Sequence, residues 1–163
     1  MIVHPIEALY NKNSRILILG SFPSVKSREE GFFYGHPQNR FWRVMASLCD
    51  SELPRTIEDK TKLILDNNFA LWDVIHSCEI IGSADSTIKN VVPNDINQIL
   101  NNSQVEKIFV NGKKAENLYK KFIEKETGIK AVCLPSTSPA NASWSEERLI
   151  EYWHEQIYAE NCN

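Results

Sequence analysis

Residues 15–20 read RILILG, a short apolar run that ends at a glycine. A continuous apolar run of this length, bounded by a turn residue, is typical of a strand that is covered on both faces, as in parallel sheets. Three similar runs follow along the chain, at residues 69–74, 105–110 and 130–134. The sequence therefore predicts four buried strands.

Helical patterns lie between these runs and after the last of them. Apolar residues recur at helical spacing in residues 41–48 and again after Thr56, which has the position of a helix cap. Further helices are predicted for residues 93–100 and 113–126, and a Ser143–Glu146 capping box starts the last one. The apolar face of that helix consists of Leu149, Trp153 and Ile157. Alternating strands and helices favour right-handed crossovers. The predicted fold is therefore α/β, a three-layer α/β/α arrangement with a central four-stranded parallel sheet.

The length of 163 residues, with 42% hydrophobic and 24% charged residues, is typical of a single globular domain, here residues 1–163. The chain has no apolar run of about 18 residues, and its first five residues lack the basic and apolar segments of a signal peptide. We therefore expect no membrane span and a cytoplasmic location. The formal net charge of -3 gives no bulk indication of a polyanionic partner, so nucleic-acid binding would have to rest on local residues.

Cysteine spacing and the lack of cofactor motifs limit the chemistry. The four cysteines are widely scattered and form no C-x-x-C pair, which disfavours a zinc site and, in a reducing compartment, disulfides. We interpret Cys49, Cys78 and Cys133 as small core residues. The sequence contains no H-E-x-x-H, Walker or G-x-G-x-x-G motif and no Ser-His-acid arrangement. We expect neither a metal nor a cofactor.

The predicted sheet brings four loops to one edge, where ligands of such sheets bind beyond the carboxyl ends of the strands. Three of these loops follow Gly20, Val74 and Leu134, and the fourth contains Asn111–Gly112. The first loop is long and rich in aromatic residues. The last, residues 135–141, is rich in hydroxyl groups and prolines. We predict the functional site between these two.

The first loop contains groups suited to a planar, hydrogen-bonding ligand. Its opening turn, residues 20–24, can bring backbone N–H groups to a phosphate or a carbonyl oxygen, although plain turn chemistry explains the same residues. Three aromatic residues follow at positions 32–34. Three successive rings cannot all point into one core, so at least one is expected to face solvent or a ligand, as a platform for a nucleobase. Packing against the core is the alternative for Phe32 or Phe33.

Several polar residues near this edge admit two roles each. Asn39 either caps the helix that follows it, or uses its amide to hold a water or contact the edge of a base. His36 is either a structural residue or a proton donor. Asp73, at the end of the second predicted strand, and Asp85, in a polar loop, are either general bases or groups that cap and cross-link loops.

The opening turn and the aromatic segment together resemble a known signature. Residues 20–24, Gly-Ser-Phe-Pro-Ser, and residues 31–44, Gly-Phe-Phe-Tyr-Gly-His-Pro-Gln-Asn-Arg-Phe-Trp-Arg-Val, are similar in type and spacing to the first motif of the mismatch-specific branch of the uracil-DNA glycosylase superfamily. Residues 138–141, Ser-Pro-Ala-Asn, resemble the second motif. Within the superfamily the first motif is most similar to that of the hypoxanthine-DNA glycosylases, which also reads G-S-F-P and G-H-P-Q-N-R-F-W.

One residue departs from the mismatch-specific enzymes, which have a catalytic asparagine two residues after the first glycine. This chain has Phe22 there, and a phenylalanine cannot hold a water. In the hypoxanthine enzymes the asparagine of H-P-Q-N is catalytic, so the resemblance implies that role for Asn39. It also implies that Tyr34 stacks on the extruded base. The second motif differs from the N-P-S-G and H-P-S-P forms of relatives, so the expected substrate rests on the first motif.

The resemblance implies a base-excision repair enzyme that hydrolyses the N-glycosidic bond of a deaminated base in DNA and leaves an abasic site. Hypoxanthine is the expected base, with uracil and xanthine as alternatives, and the partner is DNA that contains such bases. The motifs hold no lysine nucleophile, so we expect a monofunctional glycosylase. We also expect a monomer, as is common among small repair enzymes of this type. The implied site residues are catalytic Asn39 and His36; base-binding Tyr34, Ser21, Phe22 and Gln38; and DNA-binding Ser136, Ser138, Pro139, Ala140, Asn141, Arg40, Lys113 and Lys114.

Two other functions are compatible with the sequence. Phe22 and the acidic charge balance would suit a module that binds a DNA lesion without cutting it. A small-nucleotide hydrolase of the same layered fold is the second alternative, although the chain lacks a phosphate-cradling signature.

Overall fold

A computed structural model describes residues 1–159 of the chain. Within these residues the strands are β1 (Ile2–Val3), β2 (Ile16–Gly20), β3 (Phe69–Asp73), β4 (Ile75–Glu79), β5 (Lys89–Pro93), β6 (Lys107–Asn111) and β7 (Val132–Leu134). The α-helices are α1 (Val25–Glu30), α2 (Phe41–Leu48), α3 (Ile57–Asp66), α4 (Asn97–Asn101), α5 (Lys113–Phe122), α6 (Glu124–Thr127) and α7 (Glu146–Ile157).

Four strands form a parallel sheet in the order β3-β2-β6-β7, which confirms the predicted sheet. The register pairs Gly20 with Asp73 and Asn111 with Leu134. The carboxyl ends of all four strands therefore lie at one edge, where the sequence predicts the site.

Helices cover both faces of this sheet, which confirms the three-layer arrangement. Ile18 of β2 packs into one hydrophobic cluster, while its neighbours Leu17 and Leu19 pack into the other. The first cluster includes residues of α2, α3 and α7, and the second includes residues of α4, α5 and β4. Burial on both faces explains why β2 reads as a continuous apolar run. The predicted face of α7 is buried, at Leu149, Trp153 and Ile157.

A second sheet, antiparallel and in the order β1-β4-β5, is not predicted by the sequence. β1 has only two residues, and β4 follows β3 after the single residue Val74. The ladder between β4 and β5 contains register shifts, which disturb the period-two pattern by which strands are recognised. The pairing of β1 with β4 brings His4 close to the end of β3.

The first loop contains a helix that the sequence analysis does not predict. The Ser24 hydroxyl accepts the Ser27 N–H and caps α1, and Gly31 ends it with a φ of 71°. The stretch after Gly20 is therefore less irregular than its composition indicates.

Three other helix boundaries correct the sequence prediction. The helix predicted for residues 93–100 begins only at Asn97, because Lys89–Pro93 forms β5. α7 does not begin with a capping box at Ser143, because the Ser145 hydroxyl accepts the Arg148 N–H at 3.2 Å and forms the cap. The helix predicted for residues 113–126 is interrupted at Ile123, which separates α5 from α6.

None of the helices in residues 1–159 is both long and apolar enough to cross a membrane. Cys78 is buried in the core, as expected, whereas Cys49 and Cys133 are only half-buried. Burial raises the pKa of the Cys49 thiol to about 11, so this thiol is protonated at neutral pH. Cys162 lies outside the described residues.

Candidate active site

A cavity of about 290 Å³ opens at the carboxyl edge of the parallel sheet. This volume is close to the lower limit of small-molecule sites, which span about 300–1,000 Å³. Its walls are formed by the loops after β2 and β7, by the loop between β4 and β5, and by the last residues of β3 and β6, Asp73 and Asn111. The predicted site residues that line it are Ser21, Phe22, Tyr34, His36, Asn39, Ser136, Ser138, Pro139 and Ala140.

Tyr34 forms part of the cavity wall with its ring. The rings of Tyr34 and Phe41 are nearly parallel, with centroids 3.9 Å and planes 15° apart. Because Phe41 covers one face of this ring, a ligand in the cavity could stack only on the opposite face. The φ of Tyr34 is 53°, a left-handed conformation that is costly for a bulky residue and clusters at functional sites. Burial, with the nearby Asp73 carboxylate, raises the pKa of Tyr34, so its phenol stays protonated at neutral pH.

Gly20 permits Tyr34 and Asp73 to approach the end of β2. A Cβ atom at position 20 would clash with Asp73 Oδ1 and lie 3.1 Å from Tyr34 Oη. Any larger residue would displace one of these two groups, which gives the first glycine of the motif a steric reason.

The other aromatic residues of the first loop pack into the protein. Phe33 is buried, and Phe32 lies against Trp42 with centroids 6.1 Å and planes 13° apart. Phe22 is also buried, edge-on to the His4 ring with centroids 5.9 Å apart. The side chain of Phe22 is thus an apolar part of the cavity wall and offers no hydrogen bond to a water.

Asn39 lines the same cavity as Tyr34, and its side chain also binds the first backbone N–H of α2, a helix whose N-cap residue is Arg40. Its Oδ1 accepts the backbone N–H of Phe41 at 2.9 Å. A backbone N–H can only donate, so the contacting atom is the amide oxygen and Nδ2 is the remaining group. Nδ2 makes no hydrogen bond within residues 1–159, so the two alternatives, helix capping and ligand contact, are compatible.

His36 lines the cavity, whereas Gln38 does not. The Gln38 backbone N–H donates to His36 Nδ1 at 3.1 Å. Nδ1 is therefore an acceptor, and the hydrogen of a neutral His36 ring lies on Nε2. The Gln38 side chain is exposed, so this geometry does not support the predicted contact of Gln38 with a base.

Arg40 binds the last loop of the site from within the protein. Its guanidinium donates to the carbonyl oxygens of Ser138 at 2.9 Å and Asn141 at 3.1 Å, and to that of Trp144. Its backbone N–H and its Nε both donate to the Thr137 carbonyl. These contacts give Arg40 a structural role, because they hold the backbone of this loop. Since most of its donors are engaged, the geometry does not support the predicted contact of Arg40 with a DNA phosphate.

Asn111, the last residue of β6, connects the first and last loops. Its Nδ2 donates to Tyr34 Oη at 3.3 Å and to Thr137 Oγ1 at 3.0 Å. Its Oδ1 accepts the Thr137 N–H at 3.1 Å. The sequence places Asn111 at the functional edge, but these contacts join residues that are far apart in the chain and are not visible in any motif.

A buried histidine–carboxylate pair lies beside Asn111, and we call His4, Asp73 and Asn111 the floor of the site. His4 Nε2 lies 2.7 Å from Asp73 Oδ2, and the side chains are 1% and 6% exposed. His4 Nδ1 accepts the Ile6 N–H, so Nε2 bears the hydrogen and donates to the carboxylate. Asp73 Oδ1 has no hydrogen-bond partner within residues 1–159. Every fully buried side-chain N or O atom of these residues has a partner, so Oδ1 is not fully buried. Since Asp73 lines the cavity, Oδ1 is open to it.

Asp85 lies in the loop between β4 and β5, at the edge of the cavity. The Ser21 hydroxyl donates to Asp85 Oδ1 at 3.1 Å. The same loop contacts the first loop again where the Val25 N–H donates to Ser83 Oγ at 2.9 Å. Asp85 is exposed as a residue. Desolvation of its carboxyl group by the surrounding loops nevertheless raises its pKa, although the Ser21 hydrogen bond and the Lys114 charge act in the opposite direction.

A second, more open cavity of about 530 Å³ adjoins the first, and we call it the outer groove. Lys113, Asn141 and Trp144 line it. Lys114 lines neither cavity. The residues that line both cavities are Asp85, Ser136, Ser138 and Ala140.

His4 is the site residue that the sequence analysis misses. It lies in the apolar segment Ile2-Val-His-Pro-Ile6, outside every motif. A polar residue in an apolar segment needs a hydrogen-bonding partner once it is buried, and the same holds for Asp73 at the end of an apolar strand. This shared requirement is the signal that could have paired them.

The parallel sheet and the cavity at its carboxyl edge place the chain among the α/β proteins with a site at the strand ends. The family model described as the Uracil DNA glycosylase superfamily matches residues 7–157 of this chain. The chain belongs to the uracil-DNA glycosylase superfamily.

Two relatives and one solved structure are similar over most of the chain. A protein named Hypoxanthine DNA glycosylase from Methanosarcina acetivorans is 34% identical over 154 residues, which cover 93% of this chain and 96% of the relative. One of the same name from Methanosarcina barkeri is 30% identical over 133 residues, covering 80% and 83%. The solution NMR structure of a Methanosarcina acetivorans protein, provisionally named a uracil DNA glycosylase, has a TM-score of 0.79 and 33% identity, covering 93% and 94%.

Proposed function

We propose that this protein is a DNA glycosylase that hydrolyses the N-glycosidic bond of hypoxanthine in DNA. Membership of the superfamily supports the chemistry, and the two relatives named Hypoxanthine DNA glycosylase support the choice of base. The observation that carries the proposal is the position of Tyr34. Its ring is backed by Phe41 and lies in one cavity with Asn39 and Asp73.

The base has to leave the duplex before its glycosidic bond can be reached. Extrusion costs a few kcal/mol and costs least for a mispaired base, which favours deaminated sites. In the proposed complex the extruded base stacks on the open face of Tyr34. Stacking of one base on an aromatic side chain contributes about 1–3 kcal/mol, which offsets part of this cost.

Asp73 Oδ1 is the proposed acceptor for the edge of the base. Hypoxanthine has an N1–H next to its carbonyl oxygen, whereas N1 of adenine is an acceptor. A carboxylate oxygen therefore attracts the hypoxanthine edge and repels the lone pair of adenine N1. Uracil and xanthine have an equivalent N–H, so this contact selects against adenine, the parent base of hypoxanthine, and does not select among deaminated bases.

Cleavage leaves the electron pair of the glycosidic bond on the base, and hydrogen-bond donors stabilise this charge. The backbone N–H groups of Phe22 and Ser24 make no backbone hydrogen bond within the described residues. We assign these groups, with Asn39 Nδ2 and His36 Nε2, to the departing base and the attacking water. Phe22 closes the wall and keeps bulk water from the base.

The proposed product is an abasic site, left by a monofunctional enzyme. No lysine lines the cavity proposed to hold the base, among the residues that the structure describes, which supports a reaction without an imine between a lysine and the sugar. The DNA strand is proposed to pass over residues 136–141 and along the outer groove. A monomeric state and a cytoplasmic location, both expected from the sequence, stay predictions.

Excision under single-turnover conditions tests the proposal. Duplexes containing deoxyinosine, deoxyxanthosine, deoxyuridine or unmodified deoxyadenosine are compared opposite each normal base, with free deoxyinosine as a further substrate. We expect release from deoxyinosine, none from deoxyadenosine, and no borohydride-trapped adduct. Binding without release from any duplex would indicate a lesion-binding module, and equal release from the free nucleoside would indicate a nucleoside hydrolase.

Two variants test the role of Tyr34. Tyr34→Phe keeps the flat ring and should stay within about threefold of the unaltered rate, whereas Tyr34→Leu should lose about tenfold or more, as expected for one lost stacking contact. Equal rates for the two variants would reduce Tyr34 to a packing residue.

A further inference from the structure

The proposed mechanism lacks a group that accepts a proton, and this inference rests on that proposed function. A water that attacks the sugar must lose a proton. Asn39 cannot accept it, because its Oδ1 is bound to the Phe41 N–H and only Nδ2, a donor, remains. His36 Nδ1 is likewise occupied by the Gln38 N–H. The proton acceptor has to be another residue of the cavity.

Two carboxylates line the cavity, Asp73 and Asp85. Asp73 belongs to the floor: it is almost fully buried, and one of its oxygens is bound by His4. The floor is where the edge of the base lies in the proposed complex, away from the sugar. Asp85 is therefore the remaining candidate among the described residues.

The position of Asp85 matches that of the sugar. In the proposed complex the base occupies the cavity and the flanking phosphates lie along the outer groove, so the deoxyribose between them lies where the two cavities meet. The residues at this junction are Asp85, Ser136, Ser138 and Ala140. Asp85 is the only ionisable residue in this set.

Contacts with the first loop hold Asp85 at this junction. The Ser21 hydroxyl donates to Oδ1, and Ser83, two residues earlier, accepts the Val25 N–H. Asp85 Oδ2 accepts no hydrogen bond from residues 1–159, so one oxygen is fixed and the other is available. Asp85 as a whole is an exposed residue, but desolvation raises the pKa of its carboxyl group, which makes it a better proton acceptor than an ordinary aspartate.

We propose that Asp85 is the general base of the reaction and that its negative charge also stabilises the positive charge that develops on the deoxyribose. The C1′–N9 bond breaks and its electron pair leaves with the base. The water oxygen forms a bond to C1′, and its proton moves to Asp85 Oδ2. That proton then passes to the departing base or to solvent, so one water is consumed and the products are an abasic sugar and free hypoxanthine.

Asp85→Asn is the first test, because asparagine keeps the size of the side chain and an oxygen for the Ser21 hydroxyl. We expect the single-turnover rate on deoxyinosine DNA to fall about 100-fold or more, as general-base catalysis contributes about 10²–10⁴-fold. Binding to a duplex with a tetrahydrofuran abasic analogue should change by less than about threefold and should confirm that the variant is folded. Asp66→Asn is the matched control: it makes the same charge change at an exposed residue that ends α3, near the opposite edge of the sheet.

A second measurement separates the charge of Asp85 from a structural role. A pyrrolidine abasic analogue has a positive charge where the sugar becomes positive, whereas tetrahydrofuran is neutral. We expect the unaltered protein and Asp66→Asn to bind the pyrrolidine duplex at least about tenfold more tightly, as one charge contact predicts, and Asp85→Asn to lose this preference. A merely structural role for Asp85 would weaken binding of both duplexes equally.

The outcomes separate this inference from the proposed function. If the unaltered protein excises hypoxanthine while Asp85→Asn keeps its rate within threefold and its pyrrolidine preference, Asp85 is not the general base and the glycosylase assignment stands. If the unaltered protein excises no base, the glycosylase assignment fails and the role of Asp85 fails with it.

Discussion

The floor of the site and its rim are built in different ways. The rim consists of Asn39 and Asp85. In the floor, His4 and Asn111 use all their polar side-chain atoms within the protein, and Asp73 uses one of its two oxygens. In the rim, each residue makes one structural hydrogen bond and leaves its other polar atom open. The floor therefore fixes the shape of the cavity, and the rim contains the groups for which we propose a catalytic role.

This difference predicts that stability and activity respond to different substitutions. Leaving a buried acceptor without its partner costs about 1–3 kcal/mol, and more for a charged group. Substitutions at partly exposed residues mostly change stability by less than about 0.5 kcal/mol, apart from special contacts such as helix caps. Changes in the floor should thus appear in the free energy of unfolding, and changes in the rim in the rate.

The largest expected effect on stability is that of His4→Ala. This change leaves the Asp73 carboxylate buried without a donor and removes a ring that lies edge-on to Phe22 and Trp72. We expect the free energy of unfolding in urea to fall by about 3 kcal/mol or more, from the lost hydrogen bond and the lost packing together. His76→Ala, at an exposed histidine of β4, is the control and should change it little.

A double-mutant cycle sharpens this prediction. If a buried charge is the main cost, Asp73→Asn should be less destabilising in the His4→Ala background than in the unaltered protein. Additive changes would mean that His4 stabilises the fold through ring packing alone.

Asn39→Asp is expected to show the next largest effect, on the rate and not on stability. Asn39→Asp keeps an oxygen for the Phe41 N–H but loses the Nδ2 donor, so the cap remains while activity should fall about 100-fold, the typical loss for one such donor. Asn39→Ala should lose the same activity and, in addition, about 0.5–2 kcal/mol of stability as the cap is lost. Urea unfolding and single-turnover excision measure the two effects. An active Asn39→Asp variant would reduce Asn39 to a helix cap.

Arg40 joins the first loop to the last and should have an intermediate effect. Arg40→Lys keeps the charge but cannot reach the carbonyl oxygens of Ser138, Asn141 and Trp144 together. We expect affinity for tetrahydrofuran-containing DNA to fall about tenfold, because the last loop is no longer held. The salt dependence of binding should stay the same, since no phosphate contact is lost. Arg43→Lys, at a partly exposed residue paired with Glu146, is the matched control.

The fold is predictable from the sequence where burial leaves a simple pattern. β2 and β3 are covered on both faces and read as apolar runs, and α2 and α7 show helical spacing. β1 and β4 give no such pattern, because one is two residues long and the other has register shifts in its ladder with β5. The small antiparallel sheet is therefore visible only in three dimensions.

The same reasoning applies to the site. Tyr34 and Asn39 lie in one continuous motif, so a resemblance can locate both. His4 and Asp73 are 69 residues apart and meet only because β1 pairs with β4. Sequence also gives the type of a residue but not the direction of its side chain. Gln38 and Arg40 belong to the motif, yet the first faces solvent and the second faces the last loop.

The smallest expected effect is that of Lys113→Ala, and it tests the path of the DNA. The Lys113 side chain is 84% exposed at the outer groove and has one long contact, 3.5 Å, with Glu116. Its ammonium group is available to a phosphate, unlike the engaged guanidinium of Arg40. We expect DNA binding to weaken a few-fold and the slope of log affinity against log salt to decrease by about 0.9, the value for one phosphate contact. Lys125→Ala, in α6, is the control. The opposite result would be a reduced salt slope in Arg40→Lys and an unchanged slope in Lys113→Ala. Arg40, and not Lys113, would then contact a phosphate, and the DNA strand would cross the last loop and not the outer groove.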